Sequence, residues 1–100
     1  MDPSLVSQTC LGYNVPVSSV RIGGIVFQLF PSDHEPRHVH GLYAGVRVVV
    51  DLLAGRAVAL SNRDDCIRPA NAKRSDVTKI LAAARDNYDV LVEAWEKMHP

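Results

Sequence analysis

The sequence predicts an α+β domain: a small antiparallel β-sheet of three to four strands packed on one long C-terminal α-helix. Three observations predict it. β-branched and aromatic residues alternate at a period of two between Val20 and Leu60, short glycine-containing turns separate those runs, and apolar residues after Ser75 recur at three- and four-residue steps. One hundred residues, 47% of them hydrophobic, suffice for one core and leave no room for a second.

Residues 1–19 are rich in serine, threonine, proline and asparagine. Leu5, Val6, Leu11, Tyr13, Val15 and Val17 follow neither period there, which fits an N-terminal arm or an edge strand attached to a single domain over residues 20–100. From Val20 to Phe30 the chain reads as strand, interrupted at Gly23-Gly24 by a tight turn or bulge; beyond it Ile25, Phe27 and Leu29 share a face. Pro31-Ser32-Asp33 breaks the strand. A further strand is expected over Val39 to Tyr43, a turn at Ala44-Gly45, a strong strand over Val46 to Leu53, a turn at Ala54-Gly55 and a weaker strand over Arg56 to Leu60. In the strong strand Val46, Val48, Val50 and Leu52 point one way. Arg47, Val49, Asp51 and Leu53 point the other, the pattern of a sheet covered on one face.

Residues 61–74 read as a polar connection with Pro69 as a local stop. Val77, Ile80, Leu81, Ala84, Tyr88, Leu91, Val92, Trp95 and Met98 then form one stripe of an amphipathic helix from about Asp76 to Met98, with Ser75 as N-cap. On that stripe Trp95 and Met98 are expected to pack rather than to serve a cofactor.

Eleven basic residues balance eleven acidic ones, and the pI is near 6.9. A nucleic-acid partner is therefore not favoured, although Arg63, Arg68, Lys73 and Arg74 outnumber the nearby Asp64 and Asp65. Arg68, Lys73 and Arg74 also approach a helix N-terminus, where an anion would be welcome; a solvated charged loop is the plainer reading. Cys10 and Cys66 fit free thiols in a reducing compartment. Asp2 stands where a secretory signal would carry a cation, and no apolar run is long enough to span a bilayer, so a cytoplasmic protein without a membrane role is expected. A domain of this size gains from burying a further apolar face, which makes a homodimer the expected assembly.

The chemistry concentrates in Asp33-His34-Glu35-Pro36-Arg37-His38-Val39-His40. His38 and His40, two apart in an extended segment, leave the same face, with Val39 on the other. Three readings stay open. His34, His38 and His40 form a candidate metal site for a divalent ion such as zinc, with Asp33 as an alternative to His34. His38 and His40 form a candidate catalytic acid–base pair, with Arg37, Arg47 or Lys73-Arg74 stabilising negative charge on a phosphodiester or similar substrate. In the third, the imidazoles and Asp33 hydrogen-bond an awkward turn and meet a partner protein, so that Asp33, His34, Arg37, Lys73 and Arg74 are binding residues. His99 fits the dipole at a helix C-terminus and nothing further.

Arg21-Ile22-Gly23-Gly24, Phe27, Phe30, the segment from Asp33 to His40 and Leu91-Val92-Glu93-Ala94-Trp95 together resemble a family of small bacterial proteins known as a domain of unknown function. Its pattern is a strand, a D-H-x-P-x-H-x-H-like turn, a short sheet and a terminal helix ending near L-x-x-x-W. The resemblance covers roughly residues 20–98 and carries the signature onto Asp33, His34, Pro36, His38 and His40; the connection from Ser61 to Arg74 is longer than in the family. It implies a part in a two-gene toxin–antitoxin-like module on mobile DNA. The expected function is accordingly a small interaction protein of such a pair, with a small protein partner and the histidine turn as contact surface. The alternatives are a histidine- or metal-dependent, nuclease-like hydrolase and a small-ligand binder with a pocket between sheet and helix.

Overall fold

A computed structural model of the protein describes residues 18–31 and 36–99. Strands β1 (Ser18–Ile22) and β2 (Ile25–Leu29) form a hairpin around Gly23, whose φ of 60° is in the left-handed region that glycine adopts without strain. Strands β3 (His38–Tyr43) and β4 (Val46–Leu53) form a second hairpin. At its turn Ala44 (φ 53°) and Gly45 (φ 78°) are both left-handed, which matches the twist of the flanking strands. A single turn of 3-10 helix, Ala54–Arg56, leads into β5 (Ala57–Leu60), and a two-residue strand β6 (Ile67–Arg68) follows. All pairings are antiparallel in the order β1-β2-β3-β4-β5, with β6 also on β4.

The described residues thus contain six strands, more than the three to four expected. Two strands make the excess: the run expected as one interrupted strand from Val20 to Phe30 is the hairpin β1–β2, and β6 comes from the 61–74 connection. Ser61 N–H donates to Val49 O and Val49 N–H to Cys66 O, so β4 is edged by β5 along one half and by β6 along the other. Two residues with no alternating neighbours leave no periodic signal. Ser18 and Ser19, counted with the arm, belong to β1; the rest of the arm lies outside the described residues.

The expected single helix is two, α1 (Arg74–Asp86) and α2 (Tyr88–Met98). Asn87 separates them at φ −122°, ψ 29°; its backbone N–H and its side-chain Nδ2 both donate to Ala83 O, at 3.1 and 2.9 Å, closing α1, while its own carbonyl accepts from Leu91 N–H to begin α2. The N-cap position of α1 is Lys73 rather than Ser75, with no side-chain bond to the first turn.

Both helices cover one face of the sheet. Ile25, Phe27, Leu29, Val39, Val46, Val48, Val50 and Leu52 meet Val77, Ile80, Ala84, Tyr88, Leu91 and Trp95 there in one buried cluster. At about 1.5–3 kcal/mol for each large side chain, this cluster is the main favourable contribution to folding. Gly41 marks the closest approach: a Cβ added to it would stand 2.5 Å from Ile80 Cγ2 and 3.0 Å from Phe27 Cε1. α2 starts beside the end of β4, where Tyr88 Oη donates to Leu53 O and Arg56 pairs with Asp89, and reaches β1 at Ser18 and Val20. Neither helix is long and apolar enough to cross a membrane.

Candidate functional site

Alternation along β3 decides where the histidines go. Val39 and Gly41 point toward the helix-covered face, so His38 and His40 leave the strand on its other face, as expected for residues two apart, and His38, at the start of the strand, still reaches α2. Cross-strand pairing sets Asp51 opposite His38, and Val49 and Gln28 on either side of His40. Both histidines are nonetheless buried, at 8% exposure each, and this turns them from protruding groups into part of the structure.

They are held by rings. Phe30 meets His40 edge-on at 4.9 Å between centroids, His40 meets His38 at 5.3 Å, and His38 lies 5.4 Å from the indole of Trp95. Trp95 in turn stacks on His99 at 3.9 Å with only 20° between the planes. The five rings form one row from the end of β2, over the start of β3, to the last turn of α2. Each such pair adds about 0.5–1.5 kcal/mol beyond the area it buries.

Hydrogen bonds fix two of the imidazoles. His38 Nδ1 lies 2.8 Å from Pro36 O, and because a carbonyl only accepts, Nδ1 carries the proton in the neutral ring and Nε2 carries the lone pair. His99 Nδ1 donates to Trp95 O at 3.1 Å, and the buried Nε2 of His99 has no hydrogen-bond partner among the described residues. Leu52 N–H donates to Arg37 O at 2.9 Å, which extends the sheet ladder one residue before β3. Arg37 also pairs with Glu96 of α2 at 3.5 Å, a second tie between the histidine segment and that helix.

Of the residues expected to act together, His38, His40 and Arg37 are assembled here. Asp33 and His34 lie outside the described residues, and among the described residues no three histidine, cysteine or acidic side chains converge as a metal site. Lys73 and Arg74 are exposed at the start of α1, and no contact among the described residues joins them to the histidines. Trp95 and His99, expected only to pack and to sit at a helix end, are members of the row. Nothing local announces this: each is more than fifty residues along the chain from His40, and only the fold brings them together. Cys66 has no disulfide partner among the described residues.

Comparison with known proteins finds a family for the chain. Residues 24–96 match the family described as Domain of unknown function (DUF4160). The matched stretch runs from the first hairpin to Glu96 and contains every ring of the row except His99. No curated protein and no solved structure matches the chain.

Proposed function

The chain belongs to the DUF4160 family of domains of unknown function, and from that footing we propose that it is a binding module, the member of a toxin–antitoxin-like pair that meets a small protein partner where the histidine segment joins α2. The observation that carries this reading is the ring row anchored on Trp95. Burial of His38, His40 and Trp95 gives a rigid floor, and around it Pro36, Arg37, Glu96 and Lys97 form a partly or fully exposed rim of mixed charge. A preformed surface loses little conformational entropy on association, and arginine and aromatic residues are enriched at protein interfaces. The histidines shape this surface rather than touch the partner through exposed imidazoles.

The test is reconstitution with the protein encoded beside this one. A stable complex is expected, and Arg37→Glu, which leaves the rings in place, is expected to weaken it roughly tenfold or more, about 1.4 kcal/mol. No complex, or a complex indifferent to Arg37→Glu and Glu96→Lys, overturns the reading.

One contact favours a second reading, a histidine-dependent hydrolase. The bond from His38 Nδ1 to Pro36 O sets the tautomer of the neutral ring and leaves the lone pair on Nε2, and a second imidazole lies 5.3 Å away by centroid, the pairing that acid–base chemistry would use. Cleavage of a phosphodiester or RNA substrate that disappears in His38→Gln and His40→Gln supports it. Equal turnover by the wild type and both variants rejects it.

A further inference from the structure

The opposite end of the sheet carries a cluster that the histidine site does not use. β4 and β6 pair so that Arg47 stands directly across from Arg68, and residues directly opposite in an antiparallel ladder point to the same face. Like charges in that position repel. Arg68 is partly compensated: its Nη2 donates to Asp65 Oδ2 at 3.3 Å, and this bond holds the Asp65 carboxyl below its ordinary range. Asp65 is shared with Arg63, at 3.4 Å. Arg47 is exposed and has no ion pair among the described residues.

Arg47 and Arg68 line an open cleft of about 560 Å³ together with Gly24, the Ala44-Gly45 turn and Pro69. Tyr43 forms part of the wall, and the Lys79 ammonium lies 3.0 Å from its hydroxyl and 4.9 Å from its ring centre, which adds positive charge behind the cleft. A chain of formal charge zero thus sets two arginines on one concavity, with a third cation against the far side of one of its wall residues.

We propose that this cleft is a phosphate-binding site, with Arg47 and Arg68 as the two forks that grip the oxyanion. Guanidinium groups match phosphate oxygens in pairs, and an anion between them converts the repulsion across β4 and β6 into two attractions. The phosphate belongs either to a small phosphorylated molecule or to a nucleic-acid backbone. Arg21 distinguishes these sources. Its row runs Arg21, Val26, Leu42, Arg47, Arg68 across the sheet on one face, which sets Arg21 about 14 Å from Arg47 at the usual strand spacing. Only a polymer reaches both. The proposal is independent of the partner reading, since it uses none of the same residues.

The experiment is a thermal-shift titration of the full chain with inorganic phosphate and pyrophosphate against sodium chloride of equal ionic strength, alongside binding of a labelled twelve-nucleotide oligouridylate. The wild type is expected to respond to at least one phosphate probe beyond the chloride control. Arg47→Gln/Arg68→Gln is expected to lose at least tenfold in that response while melting no lower than the wild type without ligand, because the like-charge pair is gone. Arg47→Lys, which keeps the charge and loses the fork, is expected to fall between them. A response to pyrophosphate that Arg21→Gln leaves unchanged assigns the site to small ligands; oligouridylate binding weakened by Arg21→Gln assigns it to the polymer. The proposal is overturned if the wild type responds to none of the three probes, if Arg47→Gln/Arg68→Gln responds as the wild type does, or if polyglutamate binds as well as the phosphate probes.

Discussion

Gly41→Ala is the most stringent perturbation of the packing that supports both sites. The new methyl carbon would lie 2.5 Å from Ile80 Cγ2, well inside contact distance, and 3.0 Å from Phe27 Cε1. Neither neighbour can yield cheaply. Ile80 and Phe27 are fully buried, and a β-branched residue on a helix has essentially one χ1 rotamer. Relief therefore requires α1 to move away from β3, and overpacking of this kind costs about 1–3 kcal/mol; with two clashes at one carbon, a value near the upper end, about 2–3 kcal/mol, is expected. In a domain of this length that corresponds to a melting point lower by roughly 10–20 °C. Urea unfolding followed by Trp95 fluorescence measures it, with the slope unchanged if only stability has changed. Ile80→Ala removes the clashing Cγ2 and alone costs about 2–5 kcal/mol. If the contact is the cause, Gly41→Ala/Ile80→Ala is less destabilised than the sum of the two single variants by at least 1 kcal/mol. A Gly41→Ala protein within 0.5 kcal/mol of wild type, or strict additivity, refutes the packing described here.

Three further outcomes are expected. Ala44 sits at φ 53° before Gly45, so Ala44→Asn supplies the residue pair that this turn prefers and raises stability by about 0.5–1 kcal/mol in the same urea assay. Trp95→Ala removes the largest ring of the row and costs about 3–5 kcal/mol, whereas His99→Ala removes one stacked partner and costs about 1 kcal/mol, a ratio that calorimetry can read. The Tyr43 hydroxyl holds the Lys79 ammonium above its ordinary value of 10.5; the pair's contribution is complete below about pH 10.5 and vanishes as pH rises through the raised value, and NMR titration of Lys79 in Tyr43→Phe is expected to return it toward the ordinary value.

The strands were legible because period-two alternation and punctuating glycines coincide: the span Val46–Leu53 and its division into a core face and a mixed face follow directly from Val46, Val48, Val50 and Leu52. The common face of His38 and His40 follows from the same rule. The break at Asn87 was not legible, since Ala84, Tyr88, Leu91 and Trp95 keep helical spacing across it and neither proline nor glycine marks it. β6 was hidden because two residues carry no period. The candidate site was legible only in its local part. Its other half comes from the end of the chain, and no spacing rule connects His38 with Trp95 and His99.

Asn87 gives the chain length between the helices a role in the site. A straight helix of some twenty-five residues would extend about 37 Å, whereas five strands span about 19–24 Å, so an unbroken rod would run past the sheet. With the joint at Asn87, the second segment sets out from Leu53 and carries Trp95 to the mouth of β3. One residue inserted just after the joint would turn the indole by about 100° around its axis. The histidine row is therefore phased by a residue that touches none of its rings, and changes in helix length can remove the site from a chain that still carries every histidine.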